Sequence, residues 1–243
     1  MRFFWLALSF LTTLPAPQLP YIPGGLSRSA VWFPLVGMII GGILGAASWG
    51  LHLIFPPAIT AVLITTLWIM LTGGLHLDGV ADCCDGLLAS TSAEKRLEIL
   101  RDPRNGTFAV LGLILFVALK ITAVFTLLQQ NNVVIIPLLL APTVARWLIL
   151  PTAKQPLARG SGMGNEFAQG LTARILGTAV LLPIFITIYS GWQGVIAILC
   201  AHLTTWWWIH FAKKRIGGVT GDVYGAVVET AELAILLTFC IQL

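Results

Sequence analysis

The chain has 243 residues, 57% of them hydrophobic and only 10% charged, with a mean hydropathy of +0.90. A soluble domain carries about a quarter charged residues, so this composition excludes a soluble enzyme, a disordered chain and a disulfide-rich secreted scaffold, and describes a polytopic membrane protein. The net charge of +4 is the balance of 14 scattered Lys and Arg residues against ten Asp and Glu, a pattern that argues for membrane lipid and basic loops as surroundings and against nucleic acid as a partner.

Residues 3–11 are apolar but too few to span ~30 Å of hydrocarbon as a helix. A proline-rich stretch at 15–20 follows, so a short interfacial or re-entrant helix is predicted rather than a cleaved leader. Apolar runs then recur at about 31–54, 58–73, 108–128, 133–152, 175–190, 192–211 and 226–243, and each reads as a transmembrane helix. The predicted fold is all-α: one integral-membrane catalytic domain, residues 1–243, built as a bundle of about seven spans.

The breaks between spans alternate between short uncharged turns and the longer charged segments 74–107, 153–174 and 212–225. Twelve of the 14 basic residues lie in those segments or before the first span. The positive-inside rule makes that side cytoplasmic, with the N-terminus in and the C-terminus out. Only Lys120 and Arg146 fall inside spans. Lys120 is expected to pair with an acid such as Glu232, while Arg146 either snorkels to the interface or supports the site.

All ten acidic residues lie on the same side as the basic ones, two of them (Glu229 and Glu232) entering the last span from it. A face rich in both signs fits a charged, soluble substrate. The strongest motif is GGLHLDGVADCCDG at 73–86, whose Asp78, Asp82 and Asp85 are spaced four and then three and so form one stripe on a helix. Three carboxylates so close repel one another unless a cation lies between them, and oxygen-only ligands point to Mg²⁺ or Mn²⁺. A solvated helix start explains one or two such aspartates but not the whole stripe.

A second cluster, GGVTGDVYGAVVE at 217–229, sets Asp222 and Glu229 seven apart on one helix face. Between the two, RDPRNGT at 101–107 places Arg104 before a helix N-terminus, where backbone amides suit a phosphate; a basic residue at the lipid interface is the plainer reading. The segment RGSGMG at 159–164 reads as a flexible loop able to close over a substrate, and Lys213 and Lys214 as topology signal first and phosphate contacts second. Cys83 and Cys84 are adjacent, which suits neither a disulfide nor a zinc site.

Taken together, GGLHLDGVADCCDG, RDPRNGTF, GGVTGDVYGAVVE and the opening LSFLTTLP at 8–15 resemble the adenosylcobinamide-GDP ribazoletransferase family, and the resemblance runs through the whole chain in order. It implies transfer of the phosphocobinamide group of adenosylcobinamide-GDP to a ribose hydroxyl of α-ribazole or its 5′-phosphate, with release of GMP, as a last step of cobalamin biosynthesis. It also implies Mg²⁺ dependence and a bacterial or archaeal inner-membrane location with the site facing the cytoplasm; a homodimer is left open. Carried onto this sequence, the catalytic candidates are Asp82, as general base, and His76 as its alternative. The metal ligands would be Asp78, Asp82, Asp85, Asp222 and Glu229. Substrate contacts would come from Asp102, Arg104, Gly106, Arg146, Arg159, Lys213, Lys214, Thr220 and Gly221. Competing readings are an intramembrane prenyltransferase, a CDP-alcohol phosphotransferase or an ion-coupled transporter; the last should hold its acids near the midplane on broken helices.

Overall fold

The structure, a computed structural model, describes residues 1–130, 134–159 and 163–241. In chain order its helices are α1 (Arg2–Leu11), α2 (Gly25–Ser29), α3 (Phe33–His52), α4 (Pro57–Thr72), α5 (Leu75–Leu88), α6 (Ala93–Ile99), α7 (Thr107–Gln129), α8 (Ile135–Ala153), α9 (Met163–Gly170), α10 (Ala173–Ala179), α11 (Leu181–Tyr189), α12 (Gly191–Ile216) and α13 (Gly221–Cys240). Among the described residues there is no β-strand, as hydrocarbon demands of anything but a closed barrel.

Five stretches are long and apolar enough to cross a membrane: α2 with α3, α7, α8, α12 and α13. Two bent pairs, α4 with α5 at 91° and the α9 segment with α10–α11 at 89°, raise the number to seven if each counts as one span. We take α4 and α10–α11 as the spanning arms. Three boundaries differ from the sequence reading. The span expected at 192–211 continues to Ile216, so Lys213, Lys214 and Arg215 form the last helical turn, where the helix dipole favours cations. The final helix starts at Gly221 rather than 226, so Asp222 rides on it. The span expected at 175–190 breaks at Val180 into α10 and α11. At the N-terminus α1 is the short helix expected, with Ala7, Leu8 and Leu11 buried against the bundle. Residues 160–162 of the glycine-rich segment lie outside the described residues.

The helix axes are brought close by small residues. On α3, a Cβ added at Gly37 or Gly41 would collide with the backbone carbonyls of Pro142 and Leu138 on α8, the small-xxx-small packing that membrane helices use where no hydrophobic force drives them together. At the other end of the bundle, Gly73 (φ +62°) and Gly74 (φ +72°) end α4 in left-handed conformations that only glycine adopts freely. The chain turns there through a right angle into α5, which packs against the first turns of α7 and against α13.

Beneath that end lies a charge-balanced set of buried side chains. Lys120 on α7 donates from Nζ to Glu229 Oε2 (2.8 Å) and Glu232 Oε2 (2.6 Å) on α13, and Arg146 on α8 donates from Nη1 to Glu232 Oε1. All four side chains are at most 2% exposed, and the Lys120 ammonium stands 4.1 Å from the centre of the Trp68 ring on α4. Two cations and two carboxylates therefore balance within the apolar core and tie four spans together. The pairing of Lys120 with Glu232 expected from sequence is present. Arg146, in contrast, neither snorkels nor reaches the substrate face: it is fully buried and its guanidinium is held by Glu232.

Removing one member leaves a buried charge uncompensated, which costs about 3–5 kcal/mol. Glu232→Gln is thus expected to lower the thermal midpoint of the detergent-solubilised protein by about 10 °C, at ~2–4 °C per kcal/mol for a chain of this size. The charge-balanced pair Lys120→Met with Glu229→Gln should lower it less. Equal midpoints for Glu232→Gln and the unaltered protein would refute the network's structural role.

Candidate active site

The first acidic motif does form one helix, and its glycines are what bring it to the second motif. A Cβ at Gly79 would lie 2.6 Å from the Asp222 carbonyl, and one at Gly225 would lie 2.9 Å from the carbonyl of His76. Helices α5 and α13 therefore cross in backbone contact, and any side chain at either glycine would push them apart. Asp78 and Asp82 on α5 are set beside Asp222 at the first turn of α13. The Thr220 hydroxyl orients that residue by donating to Asp222 Oδ2 at 3.1 Å.

The electrostatics follow from this crowding. Burial, and then the carboxylates of Asp222, Asp78 and Asp85, push the Asp82 carboxyl up to about 7, against a small opposing effect of the Arg159 guanidinium. Arg159 is the one basic residue among the expected substrate contacts that meets these carboxylates. It reaches over from the segment after α8, donates from Nη2 to the Leu97 carbonyl at 3.1 Å, and keeps its buried Nε without a partner.

Other expected residues are engaged elsewhere. Glu229, expected as a metal ligand, is buried in an ion pair with Lys120 and does not stand among these carboxylates. Asp85 has turned to cap α7, accepting from the backbone amides of Gly106 and, at 2.9 Å, Ala109. That cap consumes the helix N-terminus proposed for a phosphate, and it explains Gly106: a Cβ there would sit 2.9 Å from the Asp85 carboxylate. Arg104 is 87% exposed and binds Asp102 at 2.6 Å within its own turn. Lys213 donates to Gln155 Oε1 at 2.8 Å, and Lys214 is exposed on the last turn of α12. Gly221 and Thr220 remain at the site.

Among the described residues, no three His, Cys, Asp or Glu side chains gather tightly enough to enclose a metal ion. The five-carboxylate ligand set is therefore not assembled. What remains, Asp78, Asp82 and Asp222, is a cluster of three carboxylates partly offset by Arg159 and partly open to solvent. Mg²⁺ is commonly held by only one or two carboxylates, with waters and substrate phosphates completing its shell. The donors present fit that open kind of site and not a closed protein cage.

Beside the carboxylates opens a cavity of about 280 Å³ whose polar end is formed by His76, Asp78, Asp222 and Tyr224. His76 is 4% and Tyr224 8% exposed, and the Nδ1 of one and the hydroxyl of the other are buried without a partner. Sequence reasoning singled out His76 but passed over Tyr224, although it stands two residues after Asp222. The cue was present in an aromatic hydroxyl entering a span between two glycines.

Comparisons with known proteins bear on this arrangement. The chain matches the cobalamin-5-phosphate synthase family over residues 3–240. It is 39% identical over 249 residues to an adenosylcobinamide-GDP ribazoletransferase of Acinetobacter baumannii, covering 98% of this chain and 97% of the relative. It is 38% identical over 245 residues to that of Pseudomonas fluorescens (96% and 97%) and 37% identical over 246 residues to that of Desulfitobacterium hafniense (98% and 96%). No solved structure matches.

Proposed function

The chain belongs to the cobalamin-5-phosphate synthase family, and from that membership we propose how the site works. The protein is an integral-membrane transferase of cobalamin biosynthesis that transfers the phosphocobinamide group of adenosylcobinamide-GDP to α-ribazole or its 5′-phosphate. A ribose hydroxyl oxygen forms a bond to the phosphorus that carries the cobinamide. The bond from that phosphorus to GMP breaks, and GMP departs with the electron pair. The observation that carries the assignment of residues is the glycine-to-glycine crossing of α5 and α13, which sets Asp78, Asp82 and Asp222 beside one another.

Asp82 accepts the proton of the attacking hydroxyl, since it is half-buried and faces both Asp222 and Arg159. Arg159, with its unpartnered Nε, binds a phosphate oxygen of the incoming diphosphate. Asp78 and Asp222 would hold Mg²⁺ or Mn²⁺, an ion that when bound supplies neutralisation of charge on the diphosphate and on the leaving GMP. The competing transporter reading loses support because these carboxylates cluster at one end of the bundle rather than at its middle. The site faces the cytoplasm of a bacterial or archaeal inner membrane, a reading supported by the twelve basic residues on that side.

Incubating purified protein with Mg²⁺ and adenosylcobinamide-GDP should release GMP only when α-ribazole is present. Chelation of divalent cations should abolish that release. Asp82→Asn or Asp222→Asn removes charge while nearly preserving shape, so folding should survive while turnover falls about a thousandfold or more, the loss expected when several kcal/mol of barrier lowering is removed. A variant keeping more than about a tenth of wild-type turnover would remove that residue from the mechanism. For orientation, single cysteines at Gln130 and Lys214 in a cysteine-free background should label from opposite faces of the membrane, Lys214 from the cytoplasm. Labelling of both from one face would end the topology.

A further inference from the structure

The carboxylates occupy one end of the 280 Å³ cavity, and the transferase reading assigns nothing to the rest of it. Its remaining walls are apolar: Phe10, Leu26, Phe33, Leu75, Ile149 and Phe167. Three of these form a run of parallel rings. Phe33 stacks on Phe10 with centroids 6.0 Å apart and 19° between planes, and on Phe167 at 5.8 Å and 10°. The six residues come from α1, α2, α3, α5, α8 and α9, so six separate segments converge to build one apolar slot. His76 and Tyr224 also line the cavity, and the Nδ1 of one and the hydroxyl of the other are buried without a partner. A buried hydroxyl without a partner is costly, and such groups in a cavity mark where a ligand atom completes the bond.

We infer that this cavity is the subsite for the aromatic base of the ribazole nucleoside, with Tyr224 as the group that reads its bare ring nitrogen. The inference rests on the transferase reading and adds to it which substrate sits where. Three observations select the occupant. The volume lies at the lower edge of the ~300–1,000 Å³ of small-molecule pockets, which suits a fused bicyclic base with its ribose and excludes a corrin macrocycle several times larger. The walls are hydrocarbon and phenyl, which match a benzimidazole whose outer edge is apolar. Finally, Asp78 and Asp222 line the same cavity, so a base held against its apolar walls carries its ribose to the carboxylates where the hydroxyl must react.

The experiment is steady-state kinetics of GMP release on the purified full chain, varying each substrate in turn, with α-ribazole binding followed separately by its own benzimidazole fluorescence in the absence of the corrinoid. Ile149→Trp fills the slot, and Tyr224→Phe removes one hydroxyl while keeping the ring. For Tyr224→Phe the KM for α-ribazole should rise several-fold, the size expected of one lost hydrogen bond, with the KM for adenosylcobinamide-GDP unchanged. Ile149→Trp should raise the ribazole KM about a hundredfold or more and abolish the fluorescence change, since overpacking a filled slot leaves the base no room. If Ile149→Trp fails to fold, the Tyr224→Phe result alone decides the matter. A rise in the KM for the GDP substrate instead, or unchanged ribazole KM and binding in Tyr224→Phe, would overturn the subsite while leaving the transferase reading intact. Absence of any ribazole-dependent GMP release by the unaltered protein would overturn the transferase reading itself.

Discussion

The balanced charges of Lys120, Arg146, Glu229 and Glu232 are the constraint on which the rest of the structure depends. An isolated charge in the hydrocarbon region is costly, and each of these four is nearly or fully excluded from solvent. None can be moved without stranding another, so the register of α13 against α7 and α8 is fixed about two turns below Asp222. A helix free to rotate by one residue would turn by about 100° and carry Asp222 off the face it shares with α5. Held in this register, α13 offers Gly225 to α5 and keeps Asp222 beside Asp78 and Asp82.

The glycines then convert register into proximity. Gly79 and Gly225 let two backbones touch, which places the carboxylates of two helices in one partly dehydrated region. Such a cluster is unfavourable on its own, as the upward push on Asp82 records. It becomes favourable once a divalent cation and a diphosphate bring opposite charge and phosphate oxygens to it. The right-angle bend at Gly73 and Gly74 keeps this region at the end of the bundle, open to soluble substrates, while the aromatic slot beside it reaches back among the helices. One end of the site is thereby suited to charge and the other to an apolar ring.

Much of this was legible in the sequence. The seven apolar runs reappear as helices or bent helix pairs, since length and hydropathy alone decide what can cross a bilayer. The aspartate stripe at 78, 82 and 85 is helical as its spacing predicts, and the expected Lys120–Glu232 pair is present. What spacing could not reveal is which polar group each residue satisfies. Asp85 stands on the stripe, but the orphan amides of α7 claim it. Glu229 shares a face with Asp222, but Lys120 and the low dielectric claim it. Arg104 and Asp102 are close enough in sequence to satisfy each other. The ring slot was illegible for a different reason: Phe10, Phe33 and Phe167 are far apart in the chain, and each alone looks like an ordinary core or lipid-facing residue.

The central claim is that α5 and α13 present their carboxylates to one substrate group, and a double-mutant cycle on GMP release tests it most directly. Residues that act on the same reacting group are strongly non-additive, because removing the first already forfeits what the second completes. The account predicts that kcat/KM for adenosylcobinamide-GDP in the combined Asp82→Asn, Asp222→Asn variant is about that of the slower single variant. Losses that multiply independently would contradict it, and would mean that the two helices serve separate sites.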